Sequence, residues 1–148
     1  ILSTLRKGPL GVDALNQYLY EQFSKKSDTI PILITRNDKK TGLANGDTGY
    51  LKADTAHFPS LTLPLSELPP YEYAYCISVH KSQGSEYNEV LVLVPDGSEI
   101  FGREVLYTAV TRARHQLDID GNPEQIARAL AKTNRKSSAI AEKLKGKS

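Results

Sequence analysis

Tyr73-Ala74-Tyr75-Cys76-Ile77-Ser78-Val79-His80-Lys81-Ser82-Gln83-Gly84-Ser85-Glu86 joins an apolar run to a polar, glycine-containing loop. Residues 73–79 predict a strand. The loop begins where that strand ends, and in open α/β sheets ligands sit beyond the carboxyl ends of strands. Downstream, Val90 to Val94 reads as a second buried strand closed by Pro95-Asp96-Gly97. Residues 103–114 predict a helix with a core stripe of Leu106, Ala109, Val110 and Ala113. Leu117 to Ile119 reads as a short strand. Asn122-Pro123-Glu124-Gln125 opens a last helix, with Asn122 as N-cap, Pro123 at the first helical position and Gln125 placed to complete a capping box.

Upstream, Pro31-Ile32-Leu33-Ile34-Thr35 is a nearly continuous apolar run, the signature of a buried strand in a parallel sheet. Before it, Val12, Leu15, Leu19 and Phe23 form one stripe of an amphipathic helix. Strands alternating with helices predict an α/β fold with a mostly parallel sheet. Asn45-Gly46-Asp47-Thr48-Gly49 is a hairpin-type turn. After it Leu61, Leu63 and Leu65 alternate, interrupted by Pro59 and Pro64, which predicts a small antiparallel insertion around residues 45–70. The chain of 148 residues is expected to form one domain, residues 1–148, that includes this insertion.

Composition excludes more than it selects. With 39% hydrophobic and 24% charged residues the chain can bury a core. A net charge of +2 does not by itself argue for a nucleic-acid partner. One cysteine, Cys76, forms no internal disulfide and fits a reducing cytoplasm. No apolar run approaches the ~18 residues of a membrane span, so no membrane association is expected. The chain begins at Ile1 and holds no methionine, which suggests a piece of a longer protein. It has no G-x-x-x-x-G-K-[ST] phosphate loop, no G-x-S-x-G elbow and no Cys/His cluster at metal-ligand spacing. An independent nucleotidase or metalloenzyme is therefore not expected, and no metal ligands are assigned.

The chemistry-bearing candidates lie at strand ends and on one helix. Arg36 follows the 31–35 strand, where a ligand contact belongs. Arg112 lies four residues after Thr108, on a face away from the core stripe. Its planar, permanently charged fork suits phosphate, and an arginine offered to a neighbouring domain can stabilise a transferring phosphoryl group. The alternative is a surface salt bridge. Ser78, His80, Lys81, Ser82 and the backbone of their loop suit nucleic-acid phosphates, and Gly84 allows close backbone approach. Read structurally, the same residues make a polar turn. Tyr71, Tyr73, Tyr75 and Tyr87 could stack on bases, or fill sheet faces. The tail after Ala127 carries seven Lys/Arg against one Glu, a weak nucleic-acid signal, and its end, residues 145–148, is expected to fray.

Taken together these segments resemble the RecD-type superfamily 1 DNA helicases, the alpha subunits of exodeoxyribonuclease V. Ile77 to Tyr87 resembles their motif V. Leu106-Tyr107-Thr108-Ala109-Val110-Thr111-Arg112-Ala113-Arg114 resembles motif VI. Ile34-Thr35-Arg36-Asn37-Asp38 resembles motif IV, followed by the Asn45–Gly49 turn. The resemblance implies the second, C-terminal RecA-like domain (a P-loop NTPase-type parallel sheet flanked by helices, lacking the Walker A loop) with a small β-hairpin or SH3-like insertion. It implies that Arg112 and Arg36 reach the γ-phosphate of ATP, and that Gly84 and Glu86 lie near the nucleotide, with Glu86 toward the ribose. Ser78, His80, Lys81 and Ser82 would lie along single-stranded DNA. The Walker A lysine and the Mg2+ ligand would belong to another domain, so this chain alone would be inactive.

The implied activity is ATP-driven translocation and unwinding of duplex DNA ends for recombinational repair. The implied partners are RecB and RecC, with the nuclease centre in RecB. The alternatives are a RecD-like or relaxase helicase acting without them, or a non-catalytic docking or DNA-binding module. Two departures stand out. The stretch between Asn45 and motif V is short for a full SH3-like barrel, and Ser78 replaces a common threonine while keeping the hydroxyl.

Overall fold

A computed structural model describes residues 1–132, and the strand that organises it is β8, Tyr87–Val94. Its Val90, Val92, Leu93 and Val94 are buried. Parallel neighbours flank it: β9, Ala113–Gly121, on one side and β1, Leu2–Ser3, on the other. β7, Ile77–Ser78, pairs with the far side of β1, giving the order β7-β1-β8-β9. The central β1 is absent from the sequence reading because two residues carry no periodicity; both are buried all the same.

Helices α1 (Val12–Phe23), α2 (Arg103–Val110) and α3 (Pro123–Ala131) accompany the sheet. Leu106, Ala109 and Ala129 enter its core beside Leu2, Ile77 and Val92. In α1, Val12 is buried and Asn16 takes a place in the buried face, while Phe23 is 46% exposed. No helix among the described residues is long and apolar enough to cross a membrane.

A second sheet is wholly antiparallel, in the order β5-β4-β3-β2-β6. Its strands are β2 Ile30–Ile34, β3 Thr48–Lys52, β4 Thr55–His57, β5 Thr62–Pro64 and β6 Tyr71–Tyr73. This corrects the expected place of the 31–35 run. β2 lies between β3 and β6 and is antiparallel to both. The cause is that a continuous apolar run reports burial on both faces, not strand direction. Leu33 points into the parallel-sheet core, and Ile32 and Ile34 into a separate core with Leu43, Leu51, Ala56 and Phe58. The antiparallel sheet thus spans 30–73, wider than the 45–70 stretch in which the sequence predicts a small β insertion.

The predicted 73–79 strand is divided between the two sheets. The chain changes sheets at residues 74–76, where Asn16 supplies the missing strand neighbour. Its Nδ2 donates to the Cys76 carbonyl at 2.8 Å and its Oδ1 accepts the Cys76 N–H at 2.9 Å. Burial pushes the Cys76 thiol up to about 11, as fits an inert core group.

Three boundaries also differ. The 103–114 helix ends at Val110, so Arg112 lies in the turn and Ala113 begins β9. That strand runs through Gly121 rather than covering 117–119 alone, and as an edge strand it leaves Leu117 and Ile119 exposed. At α3 the cap forms as read, with the Asn122 side chain accepting the Glu124 N–H at 2.9 Å. The capping box does not close, because the Gln125 side chain donates to Asp96 instead. Most of the basic tail, and its end at 145–148, lies outside the described residues.

Candidate functional site

The segment from β7 to β8 crosses from the carboxyl end of one strand, past β1, to the amino end of the next strand but one in the same parallel sheet, and so offers two faces. At the β7 end, residues His80–Ser82 form a 3-10 turn. Ser82 is buried and its hydroxyl donates to the Val79 carbonyl at 2.6 Å, so it shapes the turn from inside rather than facing a strand of DNA. Ser78 accepts the Lys81 N–H at 3.3 Å. His80 is exposed, with its ring edge-on to Phe101. The Lys81 ammonium donates to Glu72 of β6 at 2.8 Å, and Arg6 donates to the other Glu72 oxygen, also at 2.8 Å. Burial alone would raise the Glu72 carboxyl; the hydrogen bonds from Arg6 and Lys81 outweigh it and hold the group below its ordinary range.

At the β8 end the loop meets α2. Gly84 is exposed at φ +82°, a left-handed conformation that glycine adopts without strain. Arg112 closes the seam between loop and helix. Its Nε donates to the Thr108 carbonyl at 3.1 Å, Nη1 to the Ser85 carbonyl at 3.1 Å, and Nη2 to the Thr111 hydroxyl at 3.3 Å. The Arg112 carbonyl in turn accepts the Tyr87 N–H at 2.8 Å, which starts the β8–β9 ladder. Glu86 pairs with Arg114 at 2.8 Å, both side chains more than half exposed. A guanidinium carries five N–H donors, so each Arg112 Nη still has one to offer.

Arg36 is exposed just beyond β2, with no hydrogen bond or ion pair among the described residues. Its loop is tied to the 45–47 turn: Asn37 accepts the Asn45 N–H at 2.7 Å, and Ile34 exchanges bonds with Gly46 and Asp47. That turn lines a cleft of about 250 Å³ with Phe58, Pro59, Ser60 and Ser85. The motif IV-like loop is therefore carried by a turn that faces Ser85, whose carbonyl holds Arg112. Two guanidinium groups and a left-handed glycine suit phosphate oxygens and close backbone approach.

Sequence reasoning missed Glu72, Arg6 and Arg114. Glu72 carries one local signal, a lone carboxylate between two tyrosines of a short strand. Arg6 stands 66 residues from it in the chain, a pairing that only the fold discloses. Of the tyrosines, Tyr73 stacks on Tyr20 with ring centroids 4.2 Å apart, which supports the packing reading for that residue. Burial and the neighbouring Tyr20 push the Tyr73 hydroxyl up to about 12.

Comparison with known proteins adds three findings. The family model described as UvrD-like helicase C-terminal domain matches residues 73–119, the stretch from the end of β6 through most of β9. The chain is 30% identical to the RecBCD enzyme subunit RecD of Mycolicibacterium smegmatis over 98% of its own length and 29% of that protein's. It is 33% identical to the ATP-dependent RecD2 DNA helicase of Deinococcus radiodurans over 95% of its length and 22% of the relative's. The chain thus spans about a quarter of the curated relatives it matches. In fold it is similar to a Pif1 helicase from Bacteroides solved in complex with ADP-AlF3 and ssDNA, with a TM-score of 0.54, 15% identity, and coverage of 84% of this chain and 41% of that one.

Proposed function

We propose, from the premise that the chain is a helicase C-terminal domain of RecA-like fold related to the RecD subunits, that it is the second motor domain of an ATP-dependent DNA helicase. The observation that carries this reading is the seat of Arg112. It is bonded to both α2 and the motif V-like loop, and keeps Nη donors for an anion. Bound ATP would supply a phosphoanhydride whose terminal phosphoryl group is transferred to water. Its phosphates and Mg2+ would be held mainly by a partner domain outside this chain.

The residues of this chain have separate tasks in that reading. Arg112 and Arg36 neutralise charge at the phosphates, Arg112 with donors fixed in place before the reaction and Arg36 from an exposed side chain that has no bond among the described residues. Gly84 leaves room for the nucleotide, and Glu86, held by Arg114, stands toward the ribose. Ser78, His80 and Lys81, at the other face of the same segment, contact single-stranded DNA. Arg112 is bonded to the backbone of that segment, so a change in its ligation is passed to the DNA-facing turn. Closure and opening of the ATP cleft would thereby move the strand. In the cytoplasm the whole protein would act on duplex ends in recombinational repair, with RecB- and RecC-like subunits or, like a RecD2-type helicase, without them.

One observation favours a second reading, a non-catalytic docking or DNA-binding module: Arg112 is engaged at all three of its nitrogens within the chain. DNA-stimulated ATP hydrolysis by the full-length protein, with its partners if required, separates the two. Arg112→Ala is expected to lower the rate by roughly 10³-fold with ATP still bound. An unchanged rate would make Arg112 a brace and favour the module.

A further inference from the structure

Two cations converge on one carboxylate beside the DNA-facing turn. Glu72 accepts from Lys81 through Oε1 and from Arg6 through Oε2, each at 2.8 Å. Asp13 completes the cluster, 3.2 Å from Arg6 and 2.6 Å from Lys7. Three cations, Arg6, Lys7 and Lys81, face two carboxylates, so the cluster keeps a positive charge that no anion of the cluster balances. A carboxylate held through one oxygen by an ammonium and through the other by a guanidinium occupies the place that the two free oxygens of a phosphate diester would take there.

Access exists. Arg6, Asp13, Tyr71 and Glu72 line an open cleft of about 390 Å³. The Arg6 and Lys81 side chains are 46% and 26% exposed, and that of Glu72 is 21% exposed. Ser78 and His80 lie on the same turn as Lys81, so a strand passing them would meet this cluster.

We infer that Arg6 and Lys81 form a backbone-phosphate subsite for single-stranded DNA, and that Glu72 occupies it as an internal competitor when no strand is bound. The inference rests on the DNA-facing reading of Ser78, His80 and Lys81, and assigns Arg6 and Glu72 to it. Glu72 weakens the grip at one phosphate and thereby eases release of the strand.

The test is binding of a fluorescent oligothymidylate to the full-length protein without nucleotide, over a series of salt concentrations. Glu72→Gln is expected to bind on the order of threefold to tenfold tighter at low salt, with a salt dependence steeper by about 0.7 for the phosphate gained. The gain should vanish in Glu72→Gln/Lys81→Ala. Glu72→Asp keeps the charge but shortens the reach, and should give a smaller gain that a long-range charge effect would not. It also carries the test if Glu72→Gln does not fold. Unchanged or weaker binding by a folded Glu72 variant, or a gain that persists without Lys81, would overturn the competitor role while Lys81→Ala still weakens binding. Wild-type binding by Lys81→Ala would instead overturn the DNA-facing reading, and this inference with it.

Discussion

Each sheet has fully buried strand residues at its centre, but the two treat the charged residues at their ends differently. In the parallel sheet Val92 is fully buried, and the loops at its two ends hold their charges in bonds: Lys81 to Glu72, Arg112 to Ser85, Arg114 to Glu86. In the antiparallel sheet Ile32, Ile34 and Ala56 are just as buried, yet Arg36 at the end of β2 extends without a bond among the described residues. The contrast teaches that burial and readiness are set separately. The apolar strands fix where a loop starts, and the polar contacts of the loop fix whether its cation is held or free.

Leu33→Ala gives the largest stability effect expected on this comparison. Leu33 belongs to β2 but packs into the parallel-sheet core, and its truncation should cost about 2–5 kcal/mol. Chemical denaturation followed by circular dichroism should show one transition, moved to lower denaturant. Two separated transitions would mean that the sheets unfold independently. Gly49→Ala should cost less, about 1–3 kcal/mol, because an added Cβ would sit 2.4 Å from the His57 carbonyl oxygen and 2.7 Å from the Phe58 ring. Hydrogen exchange should quicken in β3 and β4 more than in β8; equal quickening would show that the clash spreads to the other sheet. Arg114→Ala should be smallest, below about 1 kcal/mol in thermal melts, since both members of its pair are largely exposed. A larger loss would mean that the pair braces the loop as well as holding Glu86.

What could be read from the sequence follows the same division. The Asn122-Pro123 start of α3 and the 90–94 strand carry local chemical signals, and each takes the expected conformation. The direction of β2 carries none, because Ile32, Leu33 and Ile34 would be buried in either kind of sheet. The early end of α2 has a physical cause that spacing alone could not show: β9 must begin at Ala113 to pair with Tyr87. The contacts of the site residues were the least legible part. Ser82 and Arg112 have the residue types that a ligand would need, but whether a hydroxyl or a guanidinium turns inward depends on carbonyls, such as those of Val79 and Ser85, that only the folded loop brings near.

One further consequence lies in how the antiparallel excursion leaves and returns. Ile34 is paired with Tyr71, and Thr35 donates its N–H to the Pro70 carbonyl at 2.9 Å and its hydroxyl to the same oxygen at 3.0 Å. Outgoing and incoming chain are thus fastened side by side. The two ends of the excursion are therefore held at a fixed spacing. The excursion's exposed turns, at residues 52–54 and 59–60, can grow or be grafted without altering the spacing between the two attachment points, so this sheet can be elaborated while the parallel sheet keeps its own geometry.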